Sequence, residues 1–149
     1  MTRKGKEAKN CAPHRTTTKV SKVKVAENGK SAVFLNPART DIHITKVDGG
    51  LIVNDCAADY AISKIGLGDV IVELKGKEVG RACEQIVATA AILRKCGKPN
   101  SRIAGLVVCT RVPSTDTKAI RLKNRFMQEH GAKLMIAASN REYRLEDFF

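Results

Sequence analysis

The hydrophobic period changes twice between residues 69 and 109. Asp69-Val70-Ile71-Val72-Glu73-Leu74-Lys75-Gly76 is an apolar run carrying an acid and a lysine. After it, Val79, Ala82, Cys83, Ile86, Ala90 and Leu93 recur at the spacing of one helix face, and Arg94-Lys95 with Gly97 and Pro99 beyond supplies a stop. Ile103-Ala104-Gly105-Leu106-Val107-Val108-Cys109 is again almost continuously apolar, as in a strand buried on both faces. Strand, helix, strand in that order predicts two parallel neighbours joined by a crossover, which restricts the chain to an α/β fold.

Upstream, Ala57-Ala58-Asp59-Tyr60 leads into the same run across Ile65-Gly66-Leu67-Gly68. If the two segments pair as a hairpin with Asp59 opposite Glu73, the turn centres on Gly66, and a short glycine-bearing loop is a favoured hairpin connection. Side chains alternate along a strand, so Glu73 and Lys75 share a side and Asp59 joins them from across. Two carboxylates forced together are relieved by a proton or a hard cation. Oxygen donors of this kind suit Mg²⁺, with Mn²⁺ able to substitute, and a lysine alongside can steady a water or offset charge on a phosphate. The plainer alternative is a cross-strand ion pair between Asp59 and Lys75, with Glu73 a solvated charge at a strand end. Acid-x-Lys also occurs at Glu7-Ala8-Lys9, in a polar tail, and at Asp116-Thr117-Lys118, after a loop; only Glu73-Leu74-Lys75 sits in an apolar strand.

Asp59, Glu73-Leu74-Lys75 and the helix after them resemble the PD-(D/E)xK nuclease superfamily, restriction-endonuclease-like in fold, in its small stand-alone form. The likeness spans about residues 55–110. It implies an α/β fold with a restriction-endonuclease-like core: a mixed β-sheet entered by an N-terminal β-meander and flanked by two main helices. It implies that Asp59, Glu73 and the Leu74 carbonyl hold Mg²⁺ and that Lys75 serves the hydrolytic water. Gln85, where the family often has a glutamine, is the expected phosphate or water contact. The family's N-terminal helix with a further glutamate has no counterpart before residue 30. Glu27 falls in a turn, so a third acidic ligand is missing or supplied otherwise.

Charge agrees with such a partner and does not discriminate it from a simple binder. The net charge is +12 over 149 residues, a balance that attracts polyanions. Residues 1–18 are polar, basic and threonine-rich and read as a flexible arm for phosphates or for solubility; residues 19–149 read as one nuclease-like domain. Lys77, Arg81, Arg111 and Lys123 are the candidate nucleic-acid contacts around the expected catalytic end of the sheet. The partner expected is DNA, held by its backbone and cut in a structure-selective or weakly sequence-specific way. A homodimer would suit cutting of two strands, and a protein partner could supply targeting. The alternative is a non-catalytic nucleic-acid-binding module or an inactive nuclease-fold subunit of a larger complex. Two carboxylates aimed at a polyanion weaken such a binder unless a cation intervenes.

No run of 18 or more apolar residues is present and no apolar segment follows the basic start, so neither a membrane span nor a signal peptide is expected. The cysteines (Cys11, Cys56, Cys83, Cys96, Cys109) form no C-x-x-C pair and share no ligand spacing with His14, His43 or His130. The chain reads as cytoplasmic, reduced and DNA-associated. Elsewhere, strands are expected at 19–25, 31–35 and 41–47, with Asn28-Gly29 and Asp48-Gly49-Gly50 as turns. A second helix is expected near 116–130, turning Ala119, Leu122 and Phe126 inward. An edge strand at 133–138 and a mixed tail follow, in which Phe148-Phe149 are expected to cover an apolar patch on this chain or on a neighbour.

Overall fold

The computed structural model describes residues 14–27, 29–52, 56–74, 78–95, 102–111, 116–138 and 141–149. Its strands are β1 (Arg15–Thr18), β2 (Lys22–Glu27), β3 (Lys30–Leu35), β4 (Ile42–Lys46), β5 (Tyr60–Lys64) and β6 (Gly68–Leu74). Helix α1 (Val79–Leu93), β7 (Ile103–Cys109), α2 (Thr117–His130), β8 (Leu134–Ala138), β9 (Glu142–Arg144) and a short 3-10 helix (Leu145–Phe148) complete the order.

The main sheet runs β1-β4-β5-β6-β7-β8. Its first half is antiparallel, and β6, β7 and β8 are parallel, each joined to the next through a helix. The predicted hairpin register holds along β5, from Tyr60 opposite Val72 to Lys64 opposite Gly68. The loop is Ile65-Gly66-Leu67, and Gly66 takes φ 84°, a left-handed conformation that costs glycine nothing. Every residue of β7 is buried, as its unbroken apolar run requires.

Period 2 along β6 divides its side chains between two cores. Ile71 faces the helices, packed with Val79, Cys83 and Ile86 of α1 and Phe126 of α2. Val70, Val72 and Leu74 face the other way, against Val23, Val25, Ala32 and Phe34. α1 buries Val79, Ala82, Cys83, Ile86 and Ala90 of the predicted stripe, with Thr89, and leaves Leu93 half-buried. α2 is capped by Asp116, whose Oδ1 accepts from the Ala119 N–H at 3.0 Å, and it buries Ala119 and Phe126.

Three expectations change. The N-terminal strands do not make one meander: β2 and β3 leave the main sheet and form a separate sheet of order β2-β3-β9. Each has one apolar face, and those faces cover the side of the main sheet that the helices leave open. The helices thus occupy one face only. Second, Arg15–Thr18, assigned to the arm, are an edge strand paired with β4. Third, β9 in the tail pairs parallel to β3, with Tyr143 5.7 Å from Phe34 and 6.0 Å from Phe148 between ring centroids. Phe148 is fully buried there, on its own chain. Residues 1–13 lie outside the described residues, so the rest of the arm is not placed.

Candidate functional site

The hairpin brings Asp59 to the C-terminal end of β6, but not as a regular ladder residue. The Asp59 N–H donates to the Val72 carbonyl at 3.1 Å, although Val72 is already the ladder partner of Tyr60. Two successive residues addressing one across the strand is the pattern of a β-bulge, a device that re-aims a side chain. A continued ladder would set Leu74 opposite Ala58. The Ala58 carbonyl instead accepts from the Asp48 N–H (3.0 Å), and the Leu74 N–H turns to Asp59 Oδ2 (2.8 Å). Direct opposition of Asp59 and Glu73 is therefore corrected: the bulge swings the Asp59 carboxylate to the end of β6, beside Leu74.

Glu73 precedes Leu74 and shares the helix-facing side of Ile71. It is 2% exposed, one of four buried polar or charged residues among those described. The solvated strand-end charge of the plainer reading is not found. A carboxylate is rarely buried without a compensating charge or donors, because desolvation penalises the ionised form. Lys75 and Lys77 lie outside the described residues, so the lysine of the motif is not placed.

Gln85 of α1 is near the same segment and is not a plain solvent-facing side chain. Its Nε2 donates to the Ala57 carbonyl at 3.1 Å, while its Oε1 is buried and accepts no hydrogen bond among the described residues. One turn on, Thr89 Oγ1 accepts from the Ala58 N–H at 2.9 Å. Sequence reading passed over Thr89. The available signal was a hydroxyl on an otherwise apolar stripe, three residues after Ile86.

Glu27, expected in a turn, is the last residue of β2, and Tyr60 Oη donates to its Oε2 at 3.3 Å. Burial, and then the Glu27 charge, push the Tyr60 hydroxyl above its ordinary pKa. Glu27 therefore reaches this end of the hairpin from the inter-sheet side, where Tyr60 packs.

Of the candidate phosphate contacts, Arg111 has a register that places it at this edge. Leu74 is in register with Val108, so Arg111, just past β7, lies at the C-terminal edge of the parallel strands. Arg81 on α1, Arg111 and Lys123 on α2 are all exposed, and none is in an ion pair among the described residues. The two helices are tied to each other by the Lys118–Glu84 ion pair.

Other centres are poorer candidates. Burial pushes the Cys83 thiol up to about 11 and raises that of Cys109, which suits inert core residues. A cavity of about 480 Å³ opens on the far side, near Lys22, Lys64, Arg144 and Glu146, and none of the expected site residues lines it. Two of its cations are already engaged, Lys22 with Glu142 at 2.9 Å and Lys64 with Glu146 at 3.3 Å. Among the described residues no group of three or more His, Cys, Asp and Glu lies together as a metal site. The expected donor set needs only two carboxylates and a main-chain carbonyl. Among those residues, too, no helix is long and apolar enough to cross a membrane. No protein-family model, no curated protein and no solved structure matches this chain.

Proposed function

We propose that the chain is a metal-dependent endonuclease of restriction-endonuclease-like architecture that hydrolyses DNA phosphodiester bonds at the C-terminal end of β6. Two observations support this reading: the Glu73 carboxylate is buried in β6, and the Asp59 carboxylate is turned by a bulge onto Leu74, the residue next to Glu73. A buried carboxylate is weak evidence for stability, since an apolar side chain of similar volume often serves a core equally well. The donor set is hard oxygen throughout: the Glu73 carboxylate, Asp59 with Oδ2 committed to Leu74, and the Leu74 carbonyl. Such a set fits Mg²⁺ or Mn²⁺ better than a thiolate-seeking ion.

Each residue has a defined task. Asp59, Glu73 and the Leu74 carbonyl would hold the ion, which when bound supplies charge stabilisation at the scissile phosphate. Lys75 would orient the attacking water, and Gln85, whose Oε1 has no hydrogen-bond donor among the described residues, would accept a hydrogen bond from the water or a phosphate-bound group. Arg81, Arg111 and Lys123, with Lys77, hold the DNA backbone without reading its sequence. Contacts of this kind, made to the backbone alone, suit structure-selective or weakly specific cutting, with a dimer or a targeting partner as the proposed means of placing it.

Incubation with plasmid, linear and branched DNA in Mg²⁺, Mn²⁺ or EDTA tests it, with Glu73→Ala and Lys75→Ala alongside. Metal-dependent cleavage by the parent protein, lost in both variants, is the expected result. Equal binding by all three proteins with no cleavage contradicts it and favours a non-catalytic binding module.

A further inference from the structure

We infer that Thr89 is a positioning residue that, through the main chain of Ala57 and Ala58, fixes where the Asp59 carboxylate points. The inference rests on the metal-site reading of Asp59 and extends it to a residue that touches neither ion nor DNA.

The segment before β5 is irregular, yet its main chain is bonded from Ala57 onwards. Gln85 Nε2 donates to the Ala57 carbonyl at 3.1 Å. The Ala58 N–H donates to Thr89 Oγ1 at 2.9 Å, and the Ala58 carbonyl accepts from Asp48 at 3.0 Å. The Asp59 N–H and carbonyl are bonded to Val72 at 3.1 Å and Val47 at 2.9 Å. Three elements thus grip three consecutive residues, and the bulge that aims Asp59 is the product. Irregular backbone held this firmly is what a preorganised ligand requires.

Within this grip Thr89 is the contribution of the helix interior. Its residue is wholly buried, and so is Ala58. The Thr89 hydroxyl donates to the Gln85 carbonyl four residues back at 2.8 Å, which leaves its oxygen aimed to accept from Ala58. A threonine back-bonding inside a helix contributes little to the helix itself. Here that bond orients the oxygen and also adjoins the turn that carries Gln85. Without the hydroxyl, the Ala58 N–H is a buried donor with nothing to bond to. It reaches a new acceptor only by moving the chain, and Asp59 is the next residue.

The test uses the full-length protein and two readouts. Amide hydrogen exchange at Leu74 reports the bond to Asp59 Oδ2, and a Mn²⁺ titration reports the ligand set. In Thr89→Val, Leu74 exchanges faster while the amides of β7 keep their protection, and Mn²⁺ affinity falls about 10-fold or more, the usual effect of losing an outer-shell contact. Thr89→Ser restores both, and Thr89→Ala, with less bulk, repeats the loss if the valine variant does not fold. Wild-type Leu74 protection in the hydroxyl-free variants overturns the inference. So does unchanged Mn²⁺ affinity in them, or a serine variant as impaired as the valine one. A parent protein that binds no Mn²⁺ overturns the metal reading itself, and the Leu74 comparison then judges the clamp alone.

Discussion

Glu73 is the one carboxylate among the buried residues described. A carboxylate sits where Ile71 and Val107, its chain and ladder neighbours, would predict an aliphatic group. If its task is to hold a cation, stability is coupled to metal. Mn²⁺ at a hundred times its Kd should stabilise the folded protein by about 2.7 kcal/mol. Glu73→Gln, nearly isosteric, should abolish that increment in a thermal unfolding series with and without Mn²⁺. His130 is a second residue with a legible consequence. The C-terminal end of α2 and Glu129 favour its charged form. Burial, and then the Arg94 guanidinium donating to Nδ1 at 3.2 Å, outweigh them and lower its pKa. The unfolded chain then binds the proton more readily than the folded one. The neutral ring's contribution is fully present above the ordinary value of about 6.5 and is lost as the pH falls from there through the lowered folded pKa. Urea titrations below pH 7 should show this loss, and His130→Gln should flatten it.

Among the elements, the packing of α1 on the sheet depends on Gly105 in the middle of β7. A Cβ there would stand 2.6 Å from Leu134 Cδ1 and 2.7 Å from Ile86 Cγ2, both in the helix-side core. Gly105→Ala should destabilise the fold by about 1–3 kcal/mol in urea denaturation, the usual cost of overpacking. The elements that periodicity governs were legible: the β5–β6 register, both helices with their buried faces, and a doubly buried β7 parallel to β6. Arg15–Thr18 was not, because four polar residues have no apolar period, and threonine favours strands only weakly without a partner to cover. β9 is three residues long, and its single buried side chain, Tyr143, is meaningful only beside Phe34 and Phe148. Of the site, hairpin register brought Asp59 to the end of β6, where its carboxylate meets Leu74 instead of standing opposite Glu73. The bulge was not legible. It arises from Asp48, Val47, Gln85 and Thr89, contacts distant in sequence that local pattern cannot contain. Nor was the division into two sheets, since alternation in β2 and β3 states which face is apolar but not what it covers.

For the molecule as a whole, the proposed function gives the positive charge and the two carboxylates separate jobs that can be measured apart. If Lys77, Arg81, Arg111 and Lys123 each neutralise one phosphate, log K for duplex DNA should fall against log salt with a slope of about −3.6, weakening binding roughly 150-fold between 50 and 200 mM. Replacing Arg111 by Ala should reduce that slope by about 0.9 whatever the sequence of the duplex. In EDTA, Glu73→Gln should bind at least as tightly as the parent, because it removes a negative charge from beside the polyanion. The main sheet is covered on one face by the small sheet and on the other by the two helices, on which Arg81 and Lys123 are exposed.

The central claim is that Asp59 and Glu73 converge on one divalent cation, and anomalous diffraction from crystals grown with Mn²⁺ measures it most directly. The account predicts a peak at coordination distance from a carboxylate oxygen of each residue and from the Leu74 carbonyl, lost in Asp59→Asn and Glu73→Gln. A peak elsewhere, or none at millimolar Mn²⁺, would contradict it.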